Sequence, residues 1–222
     1  MAPHSHISTN YNNSYQEPNY ERYDVEDVIE DVLFPSFLYQ YKLKIDNNKI
    51  LEDCYSAKKI FPESVSKSNM GGWQSETYSL RTIQEKYIPN IQNLCYNVID
   101  ICNDISERQD LRCNFFEHGL DWWININKKY CYNAIHSHPG ASLVGLYYAK
   151  IKRNGEDGNL VLMRNDGSNH TQLYGSNDIF STFELEAEVG SLYIFPSHII
   201  HYVRPNLSDE ERISISFNIS IS

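Results

Sequence analysis

No stretch of this chain approaches the roughly 18 consecutive apolar residues needed to cross a bilayer, so no membrane span is expected. The start of the chain also lacks the apolar segment of a secretory leader. Cysteine is scarce and unpatterned: Cys54, Cys95, Cys102, Cys113 and Cys131 are odd in number and show no Cys-x-x-Cys spacing. That argues against a disulfide framework and points to a reduced, cytoplasmic protein. Basic runs are missing too, with 19 Lys and Arg against 29 Asp and Glu for a formal net charge of -10. A phosphate backbone would be repelled, so nucleic acid is not an expected partner. Asn-x-Ser/Thr triplets at Asn12, Asn169, Asn206 and Asn218 matter only in a secreted protein and are read as incidental.

What is present starts with length. A chain of 222 residues can bury one substantial core. Residues 1–22 are rich in Asn, Ser, Tyr and His but nearly devoid of aliphatic side chains, so burial cannot offset the entropy of ordering them. They are expected to form a flexible arm, available for contacts in a homo-oligomer, ahead of a single domain over 23–222. A first strand is expected near 37–43, then a helix from about Ile50 to Lys59 capped by Asn48. Pro89 opens a longer helix in which Ile91, Leu94, Cys95, Val98, Ile101, Cys102 and Ile105 recur at three- and four-residue steps. Cys95 and Cys102 are thereby core residues.

After about Leu111 the apolar period drops to two, over 112–118, 121–127, 131–138, 143–150, 159–163, 182–188, 191–195, 199–204 and 211–221. Many short strands after two helices predict a mainly β fold, a sandwich or jelly roll with the helices packed outside. The last strand alternates strictly: Ile213, Ile215, Phe217, Ile219 and Ile221 on one face, Arg212, Ser214, Ser216, Asn218 and Ser220 on the other. In a jelly roll that houses a ligand, helices can cover such an apolar face while the polar face lines a cavity.

The chemistry concentrates in two histidine clusters. His136 and His138, two apart on a strand, share a face, and His201 can complete a metal site with them. His4-Ser5-His6 repeats the spacing inside the arm, so spacing alone decides nothing. His198, three residues before His201, falls on the opposite strand face, and His118 and His170 have no partner nearby. Arg212 follows His201 across a Pro205–Asp209 turn, and antiparallel pairing would place the two in one hairpin. A cation near a metal-binding histidine suits a two-ended ligand, one end chelating the metal and the other a carboxylate paired with Arg212 and Ser214. 2-Oxoglutarate has that shape.

The runs Trp123-Ile124-Asn125, Asn133 to Tyr148 through His136-Ser137-His138-Pro139-Gly140, Gly190 to His201 and Arg212 to Asn218, with Val32-Leu33-Phe34-Pro35-Ser36 upstream, resemble the 2-oxoglutarate/Fe(II) oxygenases of marine bacteria and their phages. The resemblance spans roughly residues 30–222. It implies a prolyl-hydroxylase-like double-stranded β-helix that binds Fe(II), 2-oxoglutarate and dioxygen. Such an enzyme hydroxylates a peptide or small molecule as 2-oxoglutarate is decarboxylated to succinate. A phage-encoded member would act in the host cytoplasm. By motif, His136 and His201 are two metal ligands and Arg212 with Ser214 holds the distal carboxylate; Asn125, Tyr147 and Asn218 are cavity-lining candidates.

One departure stands out. The wider superfamily places a carboxylate two residues after its first histidine, and here His138 takes that place. A cupin-like metalloprotein holding Zn, Mn or Ni with three histidines, as an isomerase or a cofactor-free dioxygenase, is the alternative, although cupins carry a Glu where this chain has Ser142 and Leu143. A non-catalytic jelly-roll interaction protein is the third.

Overall fold

The computed structural model describes residues 36–80, 88–152, 157–164 and 182–221, leaving aside the side chains of 117 and 118. The expected arm over 1–22, with His4 and His6, the segment 25–34 and His170 lie outside the described residues, as does the side chain of His118.

The chain opens with β1 (Tyr39–Lys42), α1 (Asn47–Ile60) and three two-residue strands, β2 (Asn69–Met70), β3 (Trp73–Gln74) and β4 (Tyr78–Ser79). After α2 (Pro89–Arg108) come β5 (Phe115–Asn127), β6 (Tyr132–His136), β7 (Leu143–Lys150) and β8 (Leu160–Met163). The last four are β9 (Thr182–Leu185), β10 (Ser191–Pro196), β11 (Ile200–Val203) and β12 (Arg212–Ile221). Strands β2 to β4 carry too few residues to show a period. The two strands expected over 112–127 are one, because Gly119 lets β5 run against β12 where a Cβ would stand 2.4 Å from the Ser220 carbonyl oxygen.

Among the described residues the strands form two sheets. The larger has the order β1-β10-β7-β12-β5-β3 with β4 also on β5, the smaller β2-β6-β11-β8-β9, and every pairing is antiparallel. Two facing antiparallel sheets bear out the jelly roll expected from the strand pattern and the double-stranded β-helix that the family resemblance implied. Both helices pack on the outer face of the larger sheet, α2 against β5 and α1 against β7, and Ile91, Leu94, Val98 and Ile105 of α2 share one apolar cluster with Ile213, Ile215, Phe217 and Ile219 of β12. Each such side chain contributes about 1.5–3 kcal/mol on burial. A second apolar cluster, Val144, Leu146, Tyr148, Leu160, Leu162 and Phe195 among its members, fills the space between the sheets.

Helix capping departs from expectation. Asp46, not Asn48, caps α1, its Oδ1 accepting the Asn48 N–H at 3.1 Å. The N-cap residue of α2, Ile88, provides no side-chain cap. Asp53 of α1 supplies one: its Oδ2 accepts the Asn90 and Ile91 N–H groups at 2.7 and 2.9 Å. A buried carboxylate at a helix N-terminus satisfies orphan donors and opposes the helix dipole, and here it fixes the two helices to each other.

Candidate metal centre

His136 closes β6 and faces His201 of β11 as its cross-strand partner. His138 lies beyond the end of β6 and not on the strand, yet converges on the same point because its backbone N–H donates to the Ser197 carbonyl at 3.1 Å. Ring centroids are 4.4 Å apart for His136 and His201, 4.9 Å for His136 and His138, and 5.1 Å for the stacked His138 and His201. One nitrogen from each ring lies within 4.8 Å of the others. Nδ1 of His136 donates to the Ala134 carbonyl at 2.6 Å and Nδ1 of His201 to that of Ile199 at 2.9 Å. A carbonyl can only accept, so Nδ1 carries the proton in both rings and Nε2 keeps its lone pair.

Burial holds these rings neutral. It lowers His136 below its ordinary value, His138 to about 4 and His201 to about 3, with the proximity of His136 adding to the last two. Neutral imidazoles with free nitrogens at one point form a donor set that fits a divalent transition metal. Trp123 stacks on His138 at 5.6 Å and Phe195 meets His201 edge-on at 5.0 Å, so two aromatic rings restrain the donors. Among the described residues no Asp or Glu joins the cluster or lines the narrow cavity beneath it, whose wall includes Asn125, Asn133, Ser214 and Ser216. The cleft outside, walled by Lys67, Gln74, Thr77, Trp123, Pro139 and Asn218, holds none either.

Arg212 and His201 are not partners in one hairpin. β11 pairs with β6 and β8 in one sheet, and β12 with β5 and β7 in the other, because the turn after Val203 crosses between the sheets. Ser214 reaches the cavity from the opposite sheet, and Arg212 approaches it from there without lining it. Only 1 % of Arg212 is exposed; its Nη1 donates to the Arg204 carbonyl at 2.8 Å and Nη2 to Asn133 Oδ1 at 3.1 Å, while Nε has no partner. The guanidinium stands one layer behind the lining and orients the Asn133 side chain that does line it. Since arginine only donates, the Asn133 oxygen must face it, which leaves the Asn133 amide N–H groups for the cavity. Burial lowers the Arg212 pKa, opposed by the fields of Tyr148, Cys131 and Asp157.

The other candidates divide. Asn125 lines the cavity, its Nδ2 donating to Ser216 Oγ at 3.2 Å and its buried Oδ1 unpartnered. Asn218 lines the outer cleft beside His138. Tyr147 is corrected: it is buried on the helix side of β7 and donates from its hydroxyl to Asn47 Oδ1 at 2.5 Å, since the two-residue period turns Val144, Leu146 and Tyr148 inward and Tyr147 outward. His198 is exposed in the turn before β11. The sequence offers Ser216 only as part of the polar face of β12, and it does not mark Asn133, Phe195 or Asn127 as site candidates. Asn127, opposite Arg212 in register and fully buried, has neither side-chain amide atom partnered. For Asn127 the available signal is the alternation of Trp123, Asn125 and Asn127 with Trp122, Ile124 and Ile126 in the second half of β5.

Residues 121–218 match a family model described as "Putative 2OG-Fe(II) oxygenase". No curated protein matches the chain. Among solved structures, a Pseudomonas putida prolyl-4-hydroxylase is 12% identical with TM-score 0.57, covering 82% of this chain and 91% of that one. A Trichoplax adhaerens prolyl hydroxylase, solved with a hypoxia inducible factor peptide, is 14% identical with TM-score 0.58, covering 82% and 83%. HygX of Streptomyces hygroscopicus, solved with nickel and 2-oxoglutarate, is 9% identical with TM-score 0.51, covering 83% of each chain. At these identities the likeness is one of fold: this chain has the prolyl-hydroxylase-like double-stranded β-helix.

Proposed function

We propose that this chain is an Fe(II)- and 2-oxoglutarate-dependent oxygenase that hydroxylates a peptide or small-molecule substrate. Three convergent neutral imidazoles in a cavity backed by the buried Arg212 cation carry this proposal. The match over residues 121–218 and the fold shared with prolyl hydroxylases support it. When bound, Fe(II), 2-oxoglutarate and dioxygen supply the oxidation, with 2-oxoglutarate leaving as succinate and carbon dioxide while one oxygen atom enters a substrate C–H bond.

His136, His138 and His201 would hold the metal. Ser214 and the Asn133 amide would meet the distal carboxylate, with Arg212 behind them supplying the charge, which acts strongly because water is excluded. Asn125 and Ser216 present polar atoms along the wall. Phe195, Val144, Leu146 and Leu160 close the apolar side, limiting the water that could divert a reactive oxidant. The outer cleft, with Lys67, Gln74 and Asn218, would receive the substrate, while all five cysteines are free, which suits a reducing compartment.

A second reading follows from the missing carboxylate: a three-histidine metalloprotein that uses its metal without 2-oxoglutarate. Anaerobic reconstitution separates the two. One Fe(II) per chain is expected, with succinate formed from 2-oxoglutarate in air and lost in Arg212→Ala. Metal bound without any response to 2-oxoglutarate would favour the second reading, and failure to bind any divalent metal would refute both.

A further inference from the structure

We infer that metal and dicarboxylate assemble in this cavity as a mutually dependent pair, each bound weakly alone and tightly together, because His138 stands in the carboxylate's place and none of the described residues gives the metal an anionic ligand. The inference takes as given the metal centre proposed above. Its basis is the charge of the lining. A coordinating imidazole is neutral, so the three histidines bring a divalent cation into the cavity without offsetting its charge.

Among the described residues nothing else in the wall offsets it: neither the cavity nor the cleft contains an Asp or Glu side chain. Among the described residues the one charged side chain in the lining is cationic, Lys67, with its Nζ on Thr77 Oγ1 at 3.0 Å, and a second cation, Arg212, stands behind Asn133; Asp121, paired in register with Asn218, lines neither. Asp157, whose field reaches Arg212, belongs to neither lining; its Oδ2 accepts the Leu207 N–H at 3.3 Å. Partly desolvated like charges repel strongly, so a metal alone, or a dianion alone facing polar amides, meets an incomplete site. A 2-oxo dicarboxylate satisfies both ends, its chelating end neutralising the metal and its distal carboxylate complementing Arg212. By linkage, whatever factor the dianion adds to metal affinity the metal adds to dianion affinity.

Anaerobic Mn(II) titrations of the metal-free full chain, with free Mn(II) counted by electron paramagnetic resonance, test this without turnover. Saturating 2-oxoglutarate is expected to tighten Mn(II) binding about tenfold or more, within the range of strong site–site coupling. Pyruvate, which chelates but lacks the distal carboxylate, should give a smaller gain. In His138→Asp, which restores an anionic ligand, Mn(II) alone should bind more tightly than in wild type and the gain from 2-oxoglutarate should shrink. If that variant does not fold, the wild-type comparison of 2-oxoglutarate with pyruvate decides. Mn(II) affinity unchanged within about twofold by saturating 2-oxoglutarate, against the coupling expected here, would overturn the inference while leaving the metal centre standing. Absence of Mn(II) binding under every condition would overturn both.

Discussion

Replacing Arg212 by methionine separates a ligand-binding cation from a structural one. The guanidinium is 1 % exposed, donates to the Arg204 carbonyl and Asn133 Oδ1, and has no ion pair within 4 Å among the described residues. Met removes those donors, leaving two acceptors unsatisfied at about 1–3 kcal/mol each. It also removes the cost of burying the charge, and apolar replacement of buried ions is often neutral or stabilising by about 1–4 kcal/mol. Taking the middle of each range, about 4 kcal/mol lost against about 2.5 kcal/mol regained, the metal-free fold should lose only about 1.5 kcal/mol. Binding is different. At 2-oxoglutarate about 100 times its Kd, ligand stabilisation in wild type is about 2.7 kcal/mol, and at about 2–4 °C per kcal/mol the Tm of a domain this size rises about 5–11 °C. Truncating one side of a buried charge pair costs about 2–5 kcal/mol, and even the smaller figure weakens binding about thirtyfold and leaves a rise below about 3.5 °C. Thermal melts with Mn(II) present, with and without 2-oxoglutarate, read this directly. An undiminished ligand-induced rise in Arg212→Met would refute the cosubstrate role, the more so if the apo fold had lost about 3–5 kcal/mol, as when a buried structural ion pair is broken.

Other outcomes follow from the same geometry. Because burial depresses His138 to about 4 and His201 to about 3, the unfolded chain takes up protons that the folded one refuses as pH drops below the ordinary 6.5. Metal-free stability should therefore fall with pH from about 6.5 toward 4, by up to about 1.4 kcal/mol per pH unit from His201, and urea midpoints at pH 7 and 5 should differ less in His201→Gln; an equal difference would refute this. Tyr147→Phe, which removes the bond to Asn47, should cost about 1 kcal/mol of stability with 2-oxoglutarate affinity unchanged. Weakened binding would return Tyr147 to the cavity. Asp53→Ala should cost about 2–3 kcal/mol in chemical denaturation by stripping the buried cap from α2, with Mn(II) affinity unchanged.

Local periodicity made most of the architecture legible. The three- and four-residue stripe of α2 became the cover of the larger sheet, and the strict alternation of β12 became an apolar face under that cover with a polar face toward the cavity. The small strands β2 to β4 escaped because two residues carry no period, and the joined strand β5 because Gly119 reads as a turn when its neighbour is unknown. Tyr147 and Tyr148 are adjacent aromatics, and only the register of β7 says which faces inward.

By itself, the sequence determined the types of donor available, His136, His138, His201 and Arg212, and that no carboxylate stands in the local motif, because these are matters of covalent order. Tertiary structure decided how they meet. His201 and Arg212 are separated by one turn in the chain but arrive from facing sheets, and Asn133, distant from Arg212 in sequence, takes its orientation from that guanidinium. Which acids stay out of the cavity was also decided there, since the chain carries a net charge of -10 while the lining contains none among the described residues. Composition sums charge over the chain, whereas the field at a metal site depends on which few side chains the fold turns toward it.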